Sequence, residues 1–438
     1  MGVELPTTEF SDIPDELWLE LESHAHDGAQ GHAGQVQLLD EEGRFKSESK
    51  LAQSISTLSE DSLRGMYRDM AMIRRFDTEA TALQRQGQLA LWVPLRGQEA
   101  AQIGSGTATL AQDYVFPTYR EHGVALTRGI DLADLLRLFR GISNGGWDPR
   151  ITGFHLYTLV LAAQVPHAVG YAMGMQRDAA RAAAQTATAQ GAAAQTATAQ
   201  AAAAPGAGPS ATADAGAPSA EPGAVVAYFG DGASSEGDVH ESMVFAASFK
   251  APVVFFCQNN QWAISVPSEV QSRIPLFNRA KGYGFPGVRV DGNDVLAVRA
   301  VTEWALERAR SGKGPVLIEA YTYRQGAHTT ADDPTKYRLS DEEQSWVAKD
   351  PLSRFEKYLR AEGIADDAFF ARVAAEGDAV AAKARADVLD FVAPSLEDSF
   401  RNVYAEPHPL IAEELAWHRE YEAGFADENS GSAQEGGH

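Results

Sequence analysis

Cysteine is nearly absent: the 438 residues hold one, Cys257. No intrachain disulfide can form, so packing alone must hold the fold. Cys257 ends an apolar run and reads as a buried, inert thiol. No stretch of about 20 apolar residues occurs, which excludes a helical membrane span. Basic residues are in deficit, with 37 Lys and Arg against 60 Asp and Glu and a formal charge of −23. That balance argues against nucleic acid and against an anionic membrane as partners. The first residues carry Glu4, Glu9, Asp12, Asp15 and Glu16 and lack the basic-then-apolar pattern of a secretory leader, so the expected address is the cytoplasm. Two nucleotide signatures are missing. No glycine loop ends in Lys-Ser/Thr, and no Gly-x-Gly-x-x-Gly opens a strand–helix–strand unit.

Large apolar side chains are missing from residues 177–223. Ala182 to Gln190 recurs almost at once as Ala192 to Gln200, and Ala, Gln, Thr, Pro and Gly run on to Gly223. Such a segment has little to bury against its ordering entropy and is expected to be a passive surface insertion. Its alanine content allows helix in the first half. Residues 1–50 are expected to form an acidic, mostly mobile segment, 51–400 the main domain with this insertion, and 401–438 a helix and a disordered tail. Within the main domain, Ser59 before Glu60 and Asp61 starts a helix. Leu63, Met66, Tyr67, Met70, Ile73, Ala80 and Leu83 then recur at helical spacing up to Gly87. Shorter helices follow near Gln98–Gly104 and Leu132–Phe139. Helical patterns return at Leu352, Phe355 and Leu359, and from Phe369 to Val388.

What is present is a pair of polar blocks at the ends of apolar runs. Gly230-Asp231-Gly232 follows Val225 to Phe229, and Asn259-Asn260 follows Pro252 to Cys257, with 26 residues between Gly232 and Asn259. Both apolar runs read as buried parallel strands. Glu236 to Lys250, with Val239, Met243, Ala246 and Ala247 on one stripe, reads as the helix between them. A right-handed crossover places both blocks at the carboxyl ends of strands in one sheet, where open α/β folds bind ligands. Asp231 offers a hard anionic oxygen and Asn260 a neutral one, a set that suits Mg²⁺ bound together with phosphate. The flanking glycines allow close approach of backbone to a diphosphate, and the next helix start offers N–H groups.

Other blocks accompany the pair: Gly97-Gln-Glu-Ala100, Pro117 to Gly123, Lys281 to Gly284, Val288 to Asp294 and Tyr321 to Arg338. In this order, with Gly230 to Asp238 and Asn259 to Ser265, they resemble the α subunit of the thiamine diphosphate-dependent, decarboxylating component of 2-oxo acid dehydrogenase complexes. The resemblance covers roughly residues 55–400 apart from the insertion. It implies an α/β thiamine diphosphate-binding fold, a mostly parallel sheet with helices on both faces. It also implies the cofactors thiamine diphosphate and Mg²⁺.

The resemblance assigns residues one by one. Asp231, Asn260 and the backbone carbonyl of Trp262 would hold Mg²⁺. Tyr119, Arg120, Leu159, Leu161, Gly230, Gly232, Ala233 and His328 would join Asp231 and Asn260 around thiamine diphosphate. His328 would be the catalytic residue, and Thr329 stands where some relatives carry a phosphorylated serine. Three departures stand out. Leu159 replaces a small polar residue, so its contact is expected through the main chain. Gln258 replaces a phosphate-binding arginine. Thr158, Val160, Ala163 and Gln164 match a K⁺ loop only in part, since Ala163 brings no side-chain oxygen. Val288 to Asp294 is expected to be a strand and a helix cap with a structural role.

The implied reaction is oxidative decarboxylation of a 2-oxo acid with acyl transfer to a lipoyl group. The implied partners are a β subunit, in a two-α, two-β assembly that supplies the carboxylate activating the cofactor, and a lipoyl-bearing acyltransferase core. Pro117 to Arg120, Glu236 to Asp238 and Asn260 to Ile264 look closer to the branched-chain 2-oxo acid branch than to pyruvate. Pyruvate is the main alternative. An acetoin-cleaving subunit and a catalytically silent partner subunit are weaker ones.

Overall fold

The computed structural model describes residues 34–49, 51–203, 222–401 and 403–431. The acidic start, residues 1–33, lies outside them. Among the described residues seven strands occur: β1 (Tyr114–Phe116), β2 (Val225–Gly230), β3 (Val253–Asn259), β4 (Trp262–Ala263), β5 (Val266–Pro267), β6 (Gly287–Asp291) and β7 (Val316–Tyr321). Five form one sheet in the order β1-β2-β3-β7-β6, and every pairing in it is parallel. β4 and β5 make a small antiparallel hairpin.

The strand sequences explain the layering. Val253 to Asn259 is buried at every position, as is Val225 to Phe229. A strand apolar on both faces needs cover on both. Val226, Tyr228, Val254, Phe256 and Ile318 point into one core, with Phe76, Trp92, Ile103 and Leu135. Val225, Ala227, Phe229, Phe255 and Cys257 point into the other, with Val165, Ala168, Val239 and Met243. The first face is covered by α1 (Glu60–Arg85), α2 (Glu99–Thr107) and α5 (Val295–Arg310). The second is covered by α3 (Gln164–Ala203) and α4 (Gly237–Phe249). Cys257 is fully buried, which raises its thiol pKa further. The expected α/β fold with helices on both faces is the one observed.

Ser59 caps α1 by accepting from the Ser62 amide, and Glu60 and Asp61 occupy the first turn as expected. β6 followed by Asp294, which caps α5 through the Leu296 and Ala297 amides, matches the strand-and-cap reading. Helix α6 (Asp367–Asp390) packs against α1. α3 continues through the first half of the low-complexity segment to Ala203, as its alanine content allows, since alanine is the best helix former and no proline intervenes before Pro205. A 3₁₀ turn, Ala233–Ser235, follows Asp231, and α4 spans Gly237–Phe249, within one residue at each end of the expected Glu236–Lys250. One expectation changes: the C-terminal helix α7 runs Pro409–Gly431, well into the stretch where a disordered tail was expected. No described helix is long and apolar enough to cross a membrane.

Candidate active site

Three carboxyl ends lie side by side in the sheet. β2 delivers Asp231, β3 delivers Asn259 and Asn260, and β7 runs into the loop that carries His328. They open on a cavity of about 440 Å³. Every residue expected at the cofactor lines it: Tyr119, Arg120, Leu159, Leu161, Gly230, Asp231, Gly232, Ala233, Asn260, Trp262 and His328. Segments up to 209 positions apart in sequence, Tyr119 and His328, thus meet at one place.

Asp231 is 2 % exposed, and its Oδ2 has no hydrogen-bond partner. Burial pushes its pKa up to about 6, against the pull of the Arg324 charge and the Asn260 amide. A buried carboxylate oxygen without a donor is unfavourable unless a cation completes it. Asn260 donates Nδ2 to Gln98 Oε1 at 3.3 Å, and its Oδ1 accepts from the Trp262 amide. Gly232 is required by space: a Cβ there would sit 2.8 Å from the Ala263 Cβ. Gly230, by contrast, faces open space. No group of three or more His, Cys, Asp or Glu side chains gathers among the described residues. A divalent ion here would therefore rest on one carboxylate, neutral oxygens and ligand phosphate, which fits Mg²⁺. The Trp262 carbonyl, expected as a metal ligand, accepts from Arg324 Nη1 at 3.1 Å. A carbonyl has a second lone pair, so this bond does not bar ligation.

Arg120 is buried, and no carboxylate lies within ion-pair distance of it among the described residues. Its guanidinium donates to the Pro94 carbonyl, to the His328 carbonyl at 3.0 Å and to His328 Nδ1 at 3.2 Å. A guanidinium only donates, so Nδ1 must accept and the proton of a neutral imidazole sits on Nε2. Burial, then Arg120 and Arg324, lower the His328 pKa to about 3, so the ring is neutral at neutral pH. Tyr119 stands edge-on to the His328 ring at 6.3 Å.

The loop around His328 is held tightly. Its amide donates to Asp332 Oδ2 at 2.8 Å, and the same oxygen accepts from Tyr337. Arg324, fully buried, donates to the Ile264 carbonyl at 2.7 Å and to Tyr337 at 2.8 Å. Ala162, Gln261 and Ile264 adopt positive φ near the cavity. For a β-branched residue such as Ile264 this is strained backbone, of the kind that persists where neighbours fix it.

Some residues the sequence brought forward do different work. Gln258 does not face the cavity alone. It donates to Glu121 Oε1 at 2.6 Å and accepts from Gln102, so its amide is engaged in the cavity floor. Gln164 donates to the Tyr228 carbonyl at 2.6 Å, leaving Oε1 without a partner, while Ala163 adds no side-chain oxygen to a K⁺ site. Leu159, Val160 and Leu161 are 58 %, 71 % and 46 % exposed on the cavity rim. Sequence reading missed Leu91, Val93, Gln98 and Arg324. Gln98 stands inside the Gly97-Gln-Glu-Ala100 block, which was the available signal. Arg324 lay in the His328 block without a role.

The family model described as "Dehydrogenase E1 component" matches residues 67–390. A protein of Mycobacterium tuberculosis named 3-methyl-2-oxobutanoate dehydrogenase subunit alpha is 40 % identical over 375 residues, covering 85 % of this chain and 90 % of that one. A protein of Staphylococcus epidermidis named pyruvate dehydrogenase E1 component subunit alpha is 35 % identical over 331 residues, covering 75 % and 77 %. Its namesake in Staphylococcus aureus has the same identity and coverage.

Proposed function

The chain belongs to the dehydrogenase E1 component family, and from that premise we propose that it is the α subunit of an enzyme that oxidatively decarboxylates branched-chain 2-oxo acids. The observation that carries the reading is the unpartnered, buried Asp231 Oδ2 beside Asn260, in a cavity that also holds Arg120 and His328. Asp231, Asn260 and the Trp262 carbonyl would hold Mg²⁺. Gly230, Gly232 and Ala233 would let the diphosphate approach the backbone. Thiamine diphosphate, when bound, supplies the electron sink for loss of carbon dioxide.

The chain's own residues bind, orient and exclude water. Arg120 brings a fixed positive charge to a site that must hold a diphosphate. His328, neutral and with its proton on Nε2, offers a hydrogen-bond donor to a substrate oxygen on which charge develops. It is not set up to accept a proton through Nδ1, which Arg120 occupies. The walls contributed by Leu91, Val93, Tyr119 and Leu161 favour an apolar acyl side chain.

The exposed Leu159, Val160, Leu161 and Ile264 leave the cavity open on one side. A large apolar rim of this kind is a surface for another chain. It supports a β subunit closing the site in a two-α, two-β assembly and supplying the missing activating carboxylate. A lipoyl-bearing acyltransferase core would take the acyl group. Pyruvate is the second reading, favoured by the 35 % identical relatives named for it. One methylene of difference discriminates by only about 1–3 kcal/mol.

The test is to co-purify the chain with its β subunit, add thiamine diphosphate and Mg²⁺, and compare decarboxylation of 3-methyl-2-oxobutanoate with that of pyruvate. Preference for 3-methyl-2-oxobutanoate is the expected result. Preference for pyruvate overturns the substrate, and inactivity with every 2-oxo acid overturns the enzyme reading.

A further inference from the structure

The segment Leu91–Gly97 lies between α1 and the His328 loop and bonds to Arg120, to His122 and to that loop. Its main chain does the work. Trp92 and Thr330 bond both ways, the Trp92 amide to Thr330 Oγ1 at 3.0 Å and the Thr330 amide to the Trp92 carbonyl at 2.9 Å. The Pro94 carbonyl accepts from Arg120, and the Arg96 carbonyl accepts from the Gln325 amide at 3.1 Å. Of the pair at the cavity, Arg120 is thus tethered to this segment directly and His328 through Gln325 and Thr330 on either side of it.

Two buried side chains hold the segment from below. Asp77, 4 % exposed on α1, accepts from Trp92 Nε1 at 2.8 Å and from the Leu95 amide at 3.2 Å, both on Oδ1. Among the described residues no cationic nitrogen lies within ion-pair distance of it. His122 donates Nε2 to the Val93 carbonyl at 3.0 Å, accepts from Tyr157 on Nδ1 at 2.7 Å and stacks on the Trp92 ring at 4.4 Å. A buried carboxylate spent on two neutral N–H groups of one loop stabilises the fold poorly. What it does is fix where that loop's carbonyls point.

We infer that Asp77 is a positioning residue that sets the Arg120–His328 pair by pinning Trp92 and Leu95, with His122 as its companion beneath Val93. The inference rests on the proposed roles of Arg120 and His328. Asp77 needs only an acceptor oxygen for this, so asparagine should substitute and alanine should not.

The test uses the assembled α and β chains, with Asp77→Asn, Asp77→Ala, Trp92→Phe and, as a control for lost stability alone, Leu136→Ala, at a fully buried position in the first core. Each is measured well below its own Tm for kcat, KM and, by calorimetry, thiamine diphosphate affinity. A misplacement of about 1 Å remote from the chemistry can cost ~100-fold. Asp77→Ala is expected to lower kcat by about that factor with KM within about twofold. Asp77→Asn should stay close to the wild type, Trp92→Phe should fall between, and Leu136→Ala should lose Tm but not kcat. Unchanged kcat and cofactor affinity in Asp77→Ala overturns the inference, as does a matching loss in Leu136→Ala. If Asp77→Ala does not fold, Trp92→Phe decides by the same criterion. If the wild type turns over no 2-oxo acid, the enzyme reading has failed, and the order of cofactor affinities across the variants still decides the role of Asp77.

Discussion

Asp231 and Asp291 stand at the carboxyl ends of two parallel strands in one sheet, 2 % and 4 % exposed. Around Asp291 every need is met from within. Arg354 pairs with it at 2.7 Å, and Gln37 and the Asn293 amide also donate. Its neighbour Asp294 accepts from the amides of Leu38, Leu39, Leu296 and Ala297. Burial would raise the Asp291 pKa, yet Arg354 holds it below the ordinary carboxylate value. Asp231 stands at a comparable strand end with, among the described residues, no cationic side chain within ion-pair distance, and burial lifts it to about 6 against the weaker pull of Arg324. The difference teaches how to read strand-end acids. One whose donors all come from the chain builds the fold, and one left incomplete is the candidate for a ligand role.

Removing Asp291's partner should have the largest effect. Arg354→Leu leaves an unpaired buried carboxylate, at a cost of about 3–5 kcal/mol. Urea unfolding of the assembled protein should show that loss, and a change under 1 kcal/mol would erase the contrast. The converse holds at Asp231. Without cofactor, Asp231→Asn removes a buried charge and should raise stability by roughly 1–3 kcal/mol above pH 6. The sign follows from its raised pKa. The folded acid keeps its proton longer than the unfolded one, so its contribution is full below about pH 3.9 and lost as pH rises through about 6. A destabilised Asp231→Asn would mean that the oxygen has a partner in the chain after all.

Both strand ends were legible in the sequence because the information there is local. Glycines beside Asp231, an apolar run before it and Asn259-Asn260 after the next run are read within 36 residues, from Val225 to Asn260. The structural role of Val288 to Asp294 was legible for the same reason, since a strand and an N-cap are near-neighbour features. The grip of Arg120 on His328 spans 208 positions, and the bracket of Leu91–Gly97 joins α1, the Arg120 loop and the His328 loop. No period or motif encodes such contacts. The run of α3 through Ala203 was legible as allowed helix from alanine content alone, since alanine needs no burial to stay helical, while its extent was not, because composition carries no boundary there.

Smaller effects sharpen the contrast between satisfied and unsatisfied groups. His122 is held neutral by burial, its pKa lowered to about 3. Between about pH 6.5 and 3 the unfolded chain takes up a proton that the folded one refuses, so this group makes stability fall as pH falls. His122→Phe should flatten the acid limb of the unfolding profile relative to wild type, and an unchanged slope would contradict the buried neutral assignment. Deleting residues 182–220 should change least, within about 0.5 kcal/mol and with assembly intact. A failure to assemble would give that segment a role the sheet does not require.

The most direct measurement is calorimetric titration of thiamine diphosphate into the assembled protein, with Mg²⁺ and with EDTA, for wild type and Asp231→Asn. Wild type should bind only with Mg²⁺, and the variant should lose that metal-dependent binding while remaining folded. Equal affinity in the two proteins, or binding in wild type that ignores the metal, would show that Asp231 is not the seat of the ion.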